Sequence, residues 1–198
     1  MTQIVVPFRG WSGKQRLEAS KQARTRLSLA MLADVLAAAT AVGRTLVVTG
    51  DGEGRALADE LEAETVADPG GGQGAAVAVA LELVAGTVLV VNADVPCVVP
   101  HDLRTLAGAA ELGAIGFVEA EDGTTNALAL PGPEHFAPLY GGGSAARFRD
   151  HAEERGLPAV ACAIPNLCDD VDTMEDLRRI GLRAGPRTQA ALGAVLQS

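Results

Sequence analysis

Three aspartates that are remote from one another in the chain have surroundings suited to a divalent cation. Asp94 follows Val90-Val91-Asn92-Ala93 and precedes Val95-Pro96, while Asp170 and Asp172 belong to Asp169-Asp170-Val171-Asp172-Thr173. Carboxylates are hard oxygen ligands that suit Mg²⁺ bridging nucleotide phosphates. In an extended stretch Asp170 and Asp172 point the same way, because side chains alternate with period two. Plainer roles compete. Asp94 could close an Asx turn before Pro96, although that does not account for an acid placed directly after the most apolar run of the chain. Asp172 or Thr173 could cap a helix whose first turn holds Glu175 and Asp176, and capping is compatible with cation binding by the same segment.

A second group is cationic. Pro7-Phe8-Arg9-Gly10-Trp11-Ser12-Gly13-Lys14-Gln15-Arg16-Leu17 puts three positive charges and two glycines in one short stretch. A triphosphate that loses pyrophosphate develops charge on its oxygens, and fixed cations with backbone N–H groups stabilise it. Arg9, Lys14 and Arg16 are the candidates, and a solvated basic loop is the commoner explanation of a lone Lys-x-Arg. Asp68-Pro69-Gly70-Gly71-Gly72-Gln73-Gly74 opens a helix, where free N–H groups approach an anion or a base edge. Gln73 carries the paired donor and acceptor that read a purine, and a flexible turn is the competing account. Thr125-Asn126-Ala127-Leu128 and Tyr140-Gly141-Gly142-Gly143-Ser144 offer hydroxyls and helix-start N–H groups to a phosphate or carboxylate; singly, each reads as a turn or a cap.

The elements that must position these groups follow from hydrophobic patterning. Ile4–Val6, Thr45–Thr49, Glu64–Ala67, Thr87–Val91, Ala114–Val118 and Val160–Ile164 read as strands. Helices are expected over Arg26–Ala41, Gly54–Glu62, Gly74–Val84, Pro100–Ala110, Gly143–Arg155, Met174–Ala184 and Arg187–Leu196. The unbroken apolar runs Leu46-Val47-Val48 and Val88-Leu89-Val90-Val91 mark strands covered on both faces. The expectation is an α/β protein, a three-layer α/β/α sandwich with a mostly parallel mixed sheet, formed by residues 1–198 as a single domain. Ligands of such sheets bind beyond the carboxyl ends of the strands, where the acids and the cationic stretch fall.

Composition narrows the function. A net charge of −9 opposes a nucleic-acid backbone, and no apolar run has the length of a membrane helix. Three cysteines without a CxxC pair argue against a disulfide framework or a zinc site. The start lacks the pattern of a secretory signal, so a cytoplasmic location is expected. The three histidines have no ligand spacing.

Taken in order, Val6-Pro7 with Gly13-Lys14-Gln15-Arg16-Leu17, the helix Leu29–Leu36, Asn92-Ala93-Asp94-Val95-Pro96, Thr125-Asn126-Ala127-Leu128 and Asp170-Val171-Asp172-Thr173 resemble the 2-phospholactate or phosphoenolpyruvate guanylyltransferases of coenzyme F420 biosynthesis. These are a branch of the GT-A-like (Rossmann-like) nucleotidyltransferases that includes the molybdenum-cofactor guanylyltransferases. The resemblance implies that Asp94, Asp170 and Asp172 hold Mg²⁺ and that Lys14 and Arg16 contact phosphates, with Lys14, Arg16 and Asp94 as the catalytic set. It places the nucleotide on Pro7, Arg9, Gly13, Lys14, Gly72, Gln73 and Gly74, and the acceptor on Thr125, Gly141 and Ser144. Two positions depart from the family pattern: Arg9 replaces its usual lysine, and Gly72-Gln73-Gly74 replaces its usual Gly-Leu-Asn.

The reaction so implied is attack of an acceptor phosphate on the α-phosphorus of GTP. Phosphoenolpyruvate is the favoured acceptor because the composition, rich in Ala, Gly, Val and Arg with only two lysines, matches GC-rich actinobacteria. Phospholactate and phosphoglycerate stay open, as does homodimerisation. The rivals are a guanylyl- or cytidylyltransferase of the molybdenum-cofactor type and a non-catalytic nucleotide-binding module.

Overall fold

Short β-branched segments with no polar face become buried strands, and the alanine- and leucine-rich stretches between them become the helices that bury those strands. The computed structural model describes residues 2–10 and 19–197. The strands are β1 (Gln3–Pro7), β2 (Arg44–Thr49), β3 (Glu64–Ala67), β4 (Val88–Val91), β5 (Ile115–Glu119), β6 (Thr125–Leu130) and β7 (Ala159–Ala161). The helices are α1 (Lys21–Thr40), α2 (Gly52–Glu60), α3 (Gln73–Leu81), α4 (Pro100–Glu111), α5 (Ser144–Glu154), α6 (Pro165–Cys168), α7 (Met174–Ile180) and α8 (Pro186–Leu196).

One seven-stranded sheet runs in the order β3-β2-β1-β4-β6-β5-β7. β6 pairs antiparallel with both β4 and β5, and every other pairing is parallel. Successive strand residues feed opposite cores. Ile4, Val6, Val47, Leu89 and Val91 pack beneath α1, α2 and α4. Val5, Leu46, Val48, Val88 and Val90 pack beneath α3 and α5. The expected three-layer, mostly parallel mixed sheet is therefore observed. All four residues of β4 are fully buried. At roughly 1.5–3 kcal/mol per buried aliphatic side chain, the strand that delivers Asp94 is held firmly.

Several element boundaries differ from the sequence reading. β6 was not expected as a strand, since Ala127 and Ala129 are weak strand formers. α1 begins at Lys21 because Ser20 caps it, accepting a hydrogen bond from the Ala23 N–H. β7 stops at Ala161, and the single turn α6 starts with Pro165 at its first position. α7 ends at Ile180, where Gly181 takes a positive φ of 34°.

A third core cluster joins α7 and α8 to α1 through Leu27, Met31, Leu177, Ile180 and Ala191. The buried Asp34 carboxylate of α1 accepts hydrogen bonds from the backbone N–H groups of Arg187 and Thr188, at 3.2 and 2.8 Å. It thereby satisfies the start of α8. Gly185 makes this possible, because a Cβ there would lie 2.2 Å from the Asp34 carboxyl carbon.

Candidate active site

The acids meet at the carboxyl rim of the sheet, and main-chain geometry brings them there. Because β6 runs antiparallel to β4, its first residues lie beside the last residues of β4, with Val91 opposite Ala127. One step further the Asn92 N–H donates to the Asn126 carbonyl at 2.9 Å. Asn92 also donates through its amide to the Thr125 carbonyl and accepts from the Gln73 amide at 2.7 Å. A single asparagine thus fastens β4, β6 and the start of α3 together just before Asp94.

The second acid segment is fixed by one backbone hydrogen bond, from the Val171 N–H to the Asp94 carbonyl at 3.0 Å. Val171 is fully buried in the α1/α7/α8 cluster. Alternation then turns Asp170 and Asp172 the other way. One carboxylate oxygen from each of Asp94, Asp170 and Asp172 lies within 4.8 Å of the others. Oxygens bound at about 2.1 Å to one ion stand about 3.0 to 4.2 Å apart, so modest side-chain rotations would close the set around a cation. The donor chemistry and spacing fit a hard divalent metal.

Electrostatics supports the same conclusion. Burial, and then the charge of Asp94, push the Asp170 carboxyl up to about 6; Asp172 adds to the rise and a hydrogen bond from Asn126 opposes it. The buried Asn126 amide nitrogen lies 3.3 Å from the Asp170 carboxylate and 3.0 and 3.2 Å from the Leu167 and Cys168 carbonyls. It orients Asp170 and anchors α6 to the site. Thr173 caps α7, and the Asp176 carboxylate accepts from the Asp172 and Thr173 N–H groups. The capping reading of this segment is observed, and it leaves the Asp170 and Asp172 carboxylates in the acid cluster.

Beside the acids runs a cleft in two adjoining parts. The first, about 250 Å³, is lined by Pro7, Phe8, Arg9, Gly10, Ser28, Met31, Gln73, Asn92, Ala93, Asp94 and Asp172. The second, about 610 Å³, is lined by Arg9, Gly71 to Ala75, Ala78, Pro138, Tyr140 and Gly141. Arg9 and Gln73 border both. Gly72 precedes α3 with a φ of 104° and provides no side-chain cap, so the first N–H groups of α3 have no side-chain acceptor there. Gly74 lets the 136–141 segment close over α3, since a Cβ would lie 2.6 Å from the Pro138 Cβ.

The expected site residues divide into three sets. Asp94, Asp170 and Asp172 come together, and Pro7, Arg9, Gly72, Gln73, Gly74 and Gly141 line the adjoining cleft. The Gln73 amide nitrogen donates one hydrogen to Asn92, which fixes the side chain and leaves its second N–H and its carbonyl oxygen for a ligand. Thr125 and Ser144 are buried and bonded to each other, hydroxyl to hydroxyl at 3.0 Å, and are not among the residues lining either part of the cleft. Gly13, Lys14 and Arg16 lie outside the described residues.

Three contributors escaped the sequence reading. Asn92 and Asn126 appeared there only as parts of motifs. Arg147 was overlooked, although its guanidinium donates to the carbonyls of Leu139, Tyr140, Gly141 and Gly142 and shapes the loop that borders the cleft. Its spacing, one turn into a helix that follows a glycine run, was the available signal.

Comparison with known proteins agrees with this geometry. The family described as guanylyl transferase CofC like matches residues 2–191. A phosphoenolpyruvate guanylyltransferase of Geodermatophilus obscurus is 38% identical over 183 residues, covering 89% of this chain and 83% of that protein. A 2-phospho-L-lactate guanylyltransferase of Natrialba magadii is 33% identical over 194 residues, covering 88% and 80%. The fold is that of a nucleotidyl transferase from Methanothermobacter thermautotroptrophicus, with a TM-score of 0.64 at 19% identity over 91% of this chain and 95% of that one. With a match along nearly its whole length, a GT-A-like sheet and three acids gathered at the rim, this chain belongs to the CofC-like guanylyltransferase family.

Proposed function

We propose that this protein transfers GMP from GTP to the phosphate of phosphoenolpyruvate in coenzyme F420 biosynthesis. The products are enolpyruvyl-diphospho-guanosine and pyrophosphate. An acceptor phosphate oxygen forms a bond to the α-phosphorus of GTP as the bond between that phosphorus and the α,β-bridging oxygen breaks. A phosphate monoester is already anionic at neutral pH, so positioning and charge stabilisation carry the step without a general base. The observation that carries this reading is the convergence of Asp94, Asp170 and Asp172 beside the Arg9 and Gly72–Gly74 wall.

Asp94, Asp170 and Asp172 hold Mg²⁺, which when bound supplies positive charge against the phosphate oxygens. Arg9, with Lys14 and Arg16 from the sequence pattern, faces the triphosphate. Pro7, Gly13 and the Gly72-Gln73-Gly74 start of α3 complete the nucleotide side. Gly141 borders the acceptor, and the Thr125–Ser144 hydroxyl pair fixes the start of α5 next to that glycine run. Phosphoenolpyruvate and 2-phospho-L-lactate share a phosphate next to a carboxylate, and relatives named for each match this chain. The reaction uses soluble substrates, no nucleic acid and no membrane; among the described residues no helix is long and apolar enough to cross one. The chain acts as one cytoplasmic nucleotidyltransferase domain, with a homodimer open to it.

The test is a mass spectrum of the product formed from GTP and Mg²⁺ with phosphoenolpyruvate, 2-phospho-L-lactate, phosphoglycerate or molybdopterin, with pyrophosphate followed in parallel. The expected result is the phosphoenolpyruvate adduct as the fastest product. Turnover with molybdopterin alone, or no pyrophosphate with any acceptor, overturns the reading.

A further inference from the structure

Ser28 lies on α1, two turns into the helix, and is 3% exposed while lining the part of the cleft that holds Asp94 and Asp172. Among the described residues its hydroxyl has no hydrogen-bond partner. That is unusual for a helical hydroxyl in this protein. Thr25, Thr40 and Thr105 all donate to the carbonyl four residues earlier, the ordinary way to satisfy such a group. Buried hydroxyls without a partner carry a desolvation penalty that a neighbouring ligand or water removes. Thr188 shares the lack of a partner, but it belongs to α8 and is not among the cleft-lining residues, so it provides an internal control.

The wall around Ser28 has a definite character. Met31, one turn later, lines the same space, so this face of α1 is a side of the cleft. Arg24, four residues earlier, falls on the same helical face and brings positive charge to it. The same part of the cleft is lined by Arg9, Gly10, Asp94 and Asp172. A hydroxyl donor in the same cleft as Arg9 and the acids suits an anionic oxygen of a ligand held by both.

We infer that the Ser28 hydroxyl, unpartnered and buried in the wall of the acid-bearing cleft, donates a hydrogen bond to a phosphate oxygen of the bound nucleoside triphosphate. Ser28 is then a phosphate-contacting residue supplied by α1, in the same part of the cleft as Gln73 at the start of α3. The inference rests on the guanylyltransferase reading above.

The experiment measures Mg·GTP affinity by calorimetry, without acceptor, for the full-length wild type and for Ser28→Ala, Ser28→Cys and Thr188→Ala. Ser28→Ala removes a hydroxyl that makes no hydrogen bond to the described residues, so its melting temperature without ligand should equal or exceed that of the wild type. Its Kd for Mg·GTP should rise about tenfold, the effect of losing one hydrogen bond to a charged group. Ser28→Cys, similar in size but a weak donor, should behave like Ser28→Ala and keeps the test open if alanine disturbs packing. Thr188→Ala should leave Kd unchanged. Wild-type affinity, within twofold, in both Ser28 variants overturns the inference and leaves the guanylyltransferase reading standing. Absence of any Mg·GTP binding by the wild type overturns both.

Discussion

Asp169 and Asp170 are neighbours in the chain with opposite electrostatic fates. Burial pushes the Asp169 carboxyl up, but hydrogen bonds from Arg183 and Arg179 outweigh it and hold the group below the usual carboxylate range. Those two arginines staple the end of α7 to the segment before it. Burial also raises Asp170, but its charged neighbours are Asp94 and Asp172, and it rises to about 6. Of two adjacent acids, one is neutralised by the protein and stabilises the fold; the other stands among like charges that a cation would relieve. A carboxyl raised by burial beside like charges marks the site more sharply than the presence of acids does.

That contrast breaks first at Asp94. Asp94→Asn should lower the rate of pyrophosphate release by about three orders of magnitude, as expected for loss of a ligand in a charge-stabilising site. Its metal-free melting temperature should hold or rise, because a like charge beside Asp170 is gone. A large loss of stability together with activity would instead mark Asp94 as structural. Asn126→Ala comes next. It removes the donor that orients Asp170 without touching a cation ligand, and should reduce turnover by about 10–100-fold with partial recovery at high Mg²⁺.

pH separates the two neighbours directly. Asp170 has a folded value near 6, above its unfolded value of about 3.9. Its contribution to stability is fully present below about pH 3.9 and lost as pH rises through about 6. Asp169, depressed in the fold, contributes above its unfolded value, and that contribution is lost as pH falls through the folded one. Addition of Mg²⁺ or Mn²⁺ should therefore raise the melting temperature more at about pH 7.5 than at about pH 5, and Asp170→Asn should abolish the difference. The smallest effect is expected for Asp169→Asn. It should cost about 1–2 kcal/mol in a denaturation experiment, a value moderated because Arg179 and Arg183 are nearly half exposed. Turnover should fall less than tenfold.

The sequence showed the three acids because each stands just past a strand or within an extended segment, where periodicity fixes direction. It also showed the two-faced burial of β2 and β4, whose apolar runs leave no polar side. It did not show that Asp169 and Asp170 part company, since that depends on Arg179 and Arg183 returning from α7 and the turn after it. Nor did it show β6, whose alternating alanines have weak strand preference and whose reversed direction is a property of pairing. Missing β6 hid the reason Asn126 reaches Asp170 from 44 residues away. Thr125 and Ser144 read as open hydroxyls by type alone, and only the packing of α5 on the sheet pairs them.

The central claim, that Asp94, Asp170 and Asp172 share a divalent cation, is tested most directly by anomalous scattering at the manganese edge from crystals grown with Mn²⁺ and GTP. The account predicts a manganese peak in contact with oxygens of all three aspartates. A peak elsewhere in the molecule, with these carboxylates bound only to water or protein, would contradict it.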